Sequence, residues 1–347
     1  MNNHELFAMI SGTSNYDLNR AILEAVNGLG YERLSFKHLA IDYFIDAEDD
    51  TKVKKNERIC DKHLVIFESI RDISLLVRFS QIAWAAKFQY SAKSITAVLP
   101  FMIYRRQDHE EKKEEINRNA WLAHLFAASG VNRIILCDIH SNATIENMAK
   151  VGIEAYDVSA APAFAEKLKV YVDLAKAKGQ TFYIYSPDRG SVKRAIELAK
   201  ELEVEVATHL KRRLRTGKTE IYQDDAEVAR LSEEYRFPII PADERLTGAS
   251  VCIREDELET GNTVRDSGWR LREELGVDKL YLAFTHPAFA PGFRRNIMDE
   301  EVNPFDQIFA SNTIHRGYAM STGGIITNVD VSQVIGNQLY KVMVGLE

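Results

Sequence analysis

The chain has 347 residues, enough for two domains with sizeable cores, and its 46% hydrophobic and 27% charged content is that of an ordinary globular protein. A formal net charge of −7 argues against a nucleic-acid-binding surface. No apolar run approaches the ~18 residues needed to cross a bilayer, and the opening Met1-Asn2-Asn3-His4-Glu5 lacks the basic start of a secretion signal.

In chain order, residues 6–10 read as a strand, and Ser11-Gly12-Thr13-Ser14-Asn15 as a turn capping a helix. Leu18, Ile22, Ala25, Val26 and Leu29 have helical spacing, closed by Gly28 and Gly30. A second strand is expected at 64–67, and an amphipathic helix from Ile73 to Ala86. A third strand, 95–99, is stopped by Pro100 and delivers Arg105-Arg106-Gln107-Asp108. A charged loop follows at 109–115, then a helix over 116–129, and a strand over 133–137 that delivers Asp138-Ile139-His140.

The second half repeats this alternation. Helices are predicted over 164–178, 192–202 and 264–274, and strands over 181–185, 204–208, 249–253 and 279–285. Residues 215–236 are polar and charged and read as containing a mobile flap, and 330–343 as a terminal helix. Strand–helix alternation with short crossovers predicts parallel sheets covered on both faces. The main domain boundary is placed near 154–160. Cys60, Cys137 and Cys252 are far apart, and the last two fall in strand-like runs, so they read as buried thiols rather than disulfides or zinc ligands. A reducing cytoplasm fits.

Ligands of open parallel sheets bind at the carboxyl ends of strands. Five such ends carry reactive groups: Arg106-Gln107-Asp108, Asp138 with His140, Asp188, Lys211 with Arg213, and the stretch Val251 to Val264. That last stretch joins Glu255, Asp256, Glu257 and Glu259 to the turn Thr260-Gly261-Asn262-Thr263 and then a helix. A strand, a glycine-containing turn and a helix start aim consecutive backbone N–H groups at one spot, which suits a phosphate. Carboxylates beside a phosphate repel it by roughly 3 kcal/mol at ~6 Å and an effective dielectric of ~20. They therefore need another task, such as accepting hydrogen bonds from sugar hydroxyls or holding a cation. A phosphorylated sugar satisfies both halves. Lys211 and Arg213, two apart at a strand end, point to the same side while Arg212 faces elsewhere. The bland readings are a solvated acidic strand end, a hydrogen-bonded structural His140, and a solvated basic run at 211–218.

The ordered set of motifs resembles the ribose-phosphate pyrophosphokinase (phosphoribosyl pyrophosphate synthetase) family over nearly the whole chain. The likeness runs from the turn near Gly12 through Arg106-Gln107-Asp108, Asp138-Ile139-His140, Ser186-Pro187-Asp188, Gly190 and Lys193-Arg194-Ala195. It continues through Lys211-Arg212-Arg213, the sugar-phosphate loop, Thr285-His286 and Ser311-Asn312-Thr313-Ile314. The resemblance implies an α/β fold of two phosphoribosyltransferase-like domains, each a mainly parallel sheet flanked by helices. These would be an ATP-side domain at 1–157, a ribose 5-phosphate domain at 158–318, and a C-terminal segment and helix at 319–347 packing back on them.

The implied reaction transfers the pyrophosphoryl group of ATP to the 1-hydroxyl of ribose 5-phosphate, releasing AMP. Arg106, Gln107 and Asp108 would bind ATP; His140 and Asp188 would hold Mg2+, with His140 also near the chemistry; Lys211 and Arg213 would be catalytic. Glu255, Asp256, Glu259, Thr260, Gly261, Asn262 and Thr263 would bind ribose 5-phosphate, with Asn262 supplying tolerance of a left-handed backbone. A homo-oligomer, dimer or hexamer, is implied as well. The family's Phe-x-Asp-Gly-Glu adenine segment is here Phe36-Lys37-His38-Leu39-Ala40-Ile41-Asp42, and residues 109–115 lack its Pro and Ser. A synthetase-like regulatory subunit is thus the alternative, followed by a phosphoribosyltransferase.

Overall fold

Strands that bury both faces must be apolar throughout, and the chain supplies several such runs. The computed structural model describes residues 3–31, 34–37, 39–43, 49–53, 59–109, 114–213, 219–222, 224–299, 301–316 and 324–347. The chain divides into two units. One comprises Met1–Val158, Thr313–His315 and Asp330–Glu347, the other Ser159–Asn312 and Arg316–Val329.

In the first unit the strands are β1 (Phe7–Ser11), β2 (Phe36–Lys37), β3 (Leu39–Tyr43), β4 (Asp49–Val53), β5 (His63–Phe67), β6 (Ser94–Leu99), β7 (Arg133–Cys137) and β8 (Glu154–Val158). Its helices begin with α1 (Tyr16–Gly28), α2 (Ile73–Trp84), α3 (Arg118–Ala128) and α4 (Ala143–Lys150). The described residues form a six-stranded sheet of order β2-β1-β5-β6-β7-β8, parallel at every pairing, and β3 pairs with β4 as a separate antiparallel ribbon. All five residues of β5 are buried, which explains its unbroken apolar pattern. Asp72 caps α2 by accepting from the Leu75 amide at 2.9 Å, and Leu75, Leu76, Phe79, Ile82 and Ala83 turn inward from that helix. A π-helical turn, Ala85–Gln89, prolongs it.

The second unit contributes α5 (Ala161–Ala177), β9 (Phe182–Ser186), α6 (Val192–Leu202), β10 (Glu205–Thr208), β11 (Leu210–Arg213), β12 (Thr219–Tyr222), α7 (Asp225–Tyr235), β13 (Ile239–Pro241), β14 (Ser250–Glu257), α8 (Asn262–Glu273), β15 (Lys279–His286), β16 (Gln307–Ser311) and β17 (Ile326–Val329). Its seven-stranded sheet has the order β13-β10-β9-β14-β15-β16-β17, again parallel throughout, with β11 and β12 as an antiparallel ribbon. Buried residues of β9, β14, β15 and β16 form its core with Leu258, Val264, Leu271 and Ile297. The last helix, α9 (Ser332–Val344), packs on α1 of the first unit, where a Cβ on Gly336 would fall 2.7 Å from that of Ala25. Only glycine permits that approach. No helix among the described residues is long and apolar enough to cross a membrane.

The α/β class and parallel sheets agree with the sequence reading, but several local expectations change. The polar stretch 215–236 contains α7, started by Asp224 accepting from the Glu227 amide at 3.0 Å and held by buried Val228 and Leu231. Residues 214–218 lie outside the described residues. The strand expected to end at Ile253 continues to Glu257, because β15 keeps offering pairing partners as far as His286. Gly28 ends α1 from within rather than following it.

Candidate active site

Each turn after a strand begins with what its backbone amides must bond. After β1, the Gly12-Thr13-Ser14 turn meets a resident carboxylate. Thr13 and Ser14 donate their amides to Glu68 at 3.1 and 3.2 Å, the Ser14 hydroxyl joins them, and Ser69 donates its amide at 3.0 Å. A Cβ on Gly12 would lie 2.0 Å from a Glu68 carboxylate oxygen, so the turn accommodates this carboxylate only as glycine. Glu68 sits just past β5 and is 3% exposed. Burial pushes its carboxyl above the usual range, and the hydrogen bonds from Ser14, Thr13 and Ser69 pull the other way. Sequence reading missed Glu68. An acidic residue directly after an all-buried strand was the signal.

A carboxyl whose folded value is raised gives stability that is complete below its unfolded value and is lost as pH rises through the folded one. Glu68→Gln removes that titration. The stability of the natural protein relative to the Gln variant should therefore fall as pH rises from about 4.5 through the raised folded-state value, as measured by urea unfolding at matched ionic strength. A gap independent of pH would refute a titrating Glu68.

The Arg-Gln-Asp turn places its residues unequally. Arg106 and Gln107 are exposed, and the Gln107 side-chain carbonyl accepts from Arg118 at 2.7 Å. Asp108 is buried instead. Its carboxylate accepts from the Ser141 hydroxyl at 2.6 Å and lies 2.7 Å from His109 Nδ1, while its carbonyl takes the Asn117 and Asn147 amides. It braces the turn from within, which leaves Arg106 and Gln107 as the members facing outward. After β7, Asp138 adopts a left-handed backbone, φ 44°, its amide donating to the Val158 carbonyl and its own carbonyl accepting from buried Arg105. This bend carries His140 to a half-buried position. Asp188 begins the turn into α6 by accepting from the Ser191 amide at 3.1 Å.

Lys211 and Arg213 lie on β11, opposite Ile221 and Thr219 of β12, and Arg212 is opposite Glu220. Their side chains fall outside the described residues.

At the end of β14 the acidic residues separate by strand alternation. Glu255 is half-buried, whereas Asp256 is 6% exposed with a carboxylate oxygen 3.8 Å from Arg194. Leu258 follows, buried in the core, and anchors the loop: its amide donates to the His286 carbonyl and its carbonyl accepts from Phe289. Glu259 is exposed and Thr260 half-buried. Gly261 then takes φ 78° and becomes the N-cap of α8, and the Asn262 amide reaches back to the Thr260 hydroxyl at 3.5 Å. The Asn296 side-chain amide fixes the Thr260 carbonyl at 2.8 Å. Asn262 is the first helical residue, so the left-handed position belongs to Gly261 and not to Asn262. The first amides of a helix have no acceptor within it, and the helix dipole favours an anion there. A phosphate before α8, with Glu255 and Glu259 beside it, fits this arrangement.

The family model described as the N-terminal domain of ribose phosphate pyrophosphokinase matches residues 7–130. Relatives named ribose-phosphate pyrophosphokinase, from Ralstonia nicotianae and Aquifex aeolicus, are 24% and 25% identical, cover 97% of this chain, and are themselves covered over 95% and 96%. Over nearly its whole length the chain is thus similar to proteins named ribose-phosphate pyrophosphokinase, and residues 7–130 match the N-terminal domain of that family. The fold agrees with that of a phosphoribosylpyrophosphate synthetase from Mycobacterium smegmatis, at a TM-score of 0.74 and 19% identity, covering 98% of this chain and 99% of that one. The chain spans nearly the whole length of these two relatives and of that structure, both sheets included.

Proposed function

We propose that the protein is a ribose-phosphate diphosphokinase, transferring the pyrophosphoryl group of ATP to the 1-hydroxyl of ribose 5-phosphate to give phosphoribosyl pyrophosphate and AMP. The observation that carries this reading is the amino end of α8, entered through the left-handed Gly261 from a strand end bearing Glu255 and Glu259. The corresponding turn after β1 is filled by Glu68, so the second unit offers the sugar phosphate its cradle. In this reading the amides of residues 259–263 hold the 5-phosphate and Glu255 takes ribose hydroxyls. Asp256, committed to Arg194, supports the loop from below.

Arg106 and Gln107 are given to ATP, and Lys211 and Arg213 to the transferring group. Attack on the β-phosphorus builds charge on its nonbridging oxygens and on departing AMP, and positioned cations stabilise that charge more than the ground state. His140 and Asp188 are given to magnesium. Among the described residues no three or more His, Cys, Asp or Glu side chains converge, which suits an ion held by substrate phosphates, waters and one or two protein groups. When bound, magnesium would neutralise phosphate charge. The substrates fit a cytoplasmic setting.

The test is AMP release from ATP, magnesium and ribose 5-phosphate, with phosphoribosyl pyrophosphate identified as co-product. The altered adenine segment at 36–42 favours one rival, a synthetase-like regulatory subunit, and no AMP with any nucleoside triphosphate would select it. Product formed only from a nucleobase and preformed phosphoribosyl pyrophosphate would select a transferase.

The homo-oligomer belongs to the same reading. Ile73, Val77, Trp84 and Phe88 line one face of α2 and its π-helical extension, each 47–59% exposed. The two cations of that stretch are withdrawn: Arg78 is buried, and Lys87 donates to the Ala92 and Lys93 carbonyls. A two-fold contact sets each patch against its own copy, so an uncharged apolar face avoids like-charge repulsion. A Trp84→Glu, Phe88→Glu double variant should sediment as a smaller species than the natural protein at the same concentration, with unchanged far-ultraviolet circular dichroism.

A further inference from the structure

Among the described residues Arg254 is the largest fully buried side chain, 1% exposed in β14, a strand with neighbours on both sides. Taking a guanidinium out of water costs several kcal/mol, and an apolar residue of similar volume is commonly no worse for stability. A parallel strand buried on both faces ordinarily carries one. The contacts of Arg254 indicate what it does there. Its Nη1 donates to the carbonyl of Glu255 and lies 3.4 Å from that of Ala283 on β15. Its Nη2 donates to the Thr285 hydroxyl at 2.8 Å, and the Ser311 hydroxyl of β16 in turn donates to the Thr285 carbonyl. The guanidinium lies 4.6 Å from the Phe164 ring centroid, so α5 closes it from the remaining side.

One of these bonds holds a single peptide, and the contacts to Ala283 and Thr285 brace the guanidinium that makes it. The Glu255 carbonyl belongs to the plane joining Glu255 to Asp256. Rotating that plane swings both side chains and the chain's entry into the loop before α8. A planar, forked donor fixes such a plane better than a point charge can. Arg254 is shut off from solvent and cannot itself reach a ligand.

We propose that Arg254 is a positioning residue that sets the Glu255–Asp256 peptide and thereby aims the Glu255 carboxylate at the ribose hydroxyls. The proposal rests on the reading of this loop as the ribose 5-phosphate site. It assigns hydroxyl recognition to a device separate from phosphate capture at α8. Without the arginine, the helix end still takes the phosphate, but the sugar is no longer distinguished by its hydroxyls.

The experiment measures equilibrium binding of ribose 5-phosphate and of its 2-deoxy and 3-deoxy analogues to the full chain, for the natural protein, Arg254→Met and Arg254→Lys. The natural protein should prefer ribose 5-phosphate over at least one analogue by about 10-fold or more, the scale of a lost charge-assisted hydrogen bond. Arg254→Met should bind ribose 5-phosphate about 10- to 50-fold more weakly, near its affinity for the analogues, and Arg254→Lys should recover part of the preference. Thr285→Val removes one bond from the fork with little change of volume and should lower the preference a few-fold; it decides the matter if Arg254→Met does not fold. A purely structural role would lower the melting temperature and leave the preference intact, overturning the proposal. Failure of the natural protein to bind ribose 5-phosphate would overturn the functional reading instead.

Discussion

Gly261→Val is expected to weaken ribose 5-phosphate binding at least 100-fold while leaving both sheets folded. At φ 78° a residue with a side chain pays roughly 1–2 kcal/mol for the left-handed backbone, and a β-branched one fits there worst. The added Cβ would also stand 2.6 and 2.7 Å from Cγ1 and Cδ1 of Ile297, which is itself buried among Leu258, Val264 and Phe284. Overpacking of that kind costs about 1–3 kcal/mol more. Ile297 and Leu258 are held by the core, whereas the turn from Glu259 to Thr263 is partly exposed, so the turn is what moves. Moving it rotates the first amides of α8 away from the position a phosphate would take. Isothermal titration with ribose 5-phosphate, beside far-ultraviolet circular dichroism, separates lost binding from lost fold. Asn262→Gly is the control: position 262 is helical, so the change should cost only about 1 kcal/mol of stability and little affinity. Equal binding losses for the two variants would mean that the backbone at Gly261 does not shape the cradle.

That contrast marks how far the sequence could be read. Apolar runs with helices between them were legible because burial on both faces of a parallel sheet leaves one pattern, and α6 and β7 come out at the residues expected. Short edge elements were not. β8 alternates irregularly between exposed and buried, and β13 and β17 have only three and four residues, so their pairing depends on neighbours distant in the chain. α7 within 215–236 was not foreseen because only Val228 and Leu231 bury, too thin a stripe to show against its charges. At the site, residue types announced the glycine turn, the helix start and the acidic strand end. Which carboxylates face outward was decided by three-dimensional packing: Asp108 and Asp256 turn in, and Glu68, from an unremarked position, fills the turn after β1. The buried Arg254 was invisible for the same reason, since a charged residue in a strand reads as an edge or an exposed face.

Lys211→Ala should lower turnover by two orders of magnitude or more while ribose 5-phosphate affinity stays within about threefold. β11 and β12 pair as a two-stranded ribbon, and the sequence reading pairs Lys211 with Arg213 because residues two apart in a strand share a face. A cation aimed at the transferring group meets little charge beyond that of bound ATP in the ground state and more as the β-phosphorus is attacked. Removing one such preorganised donor typically lowers kcat by about 100- to 1000-fold. The sugar phosphate, held at α8 by backbone amides, loses nothing directly. Single-turnover AMP release measures the first quantity and titration with ribose 5-phosphate the second. Arg212→Ala carries the same loss of charge at the position that period-two alternation sets apart from Lys211 and Arg213, and should change turnover by no more than about threefold. Equal losses for Lys211→Ala and Arg212→Ala would mean that the ribbon acts by net charge alone, and the assignment of Lys211 and Arg213 to the reacting group would fall. A large loss confined to Lys211→Ala, with sugar binding kept, is what differential stabilisation of a transition state requires.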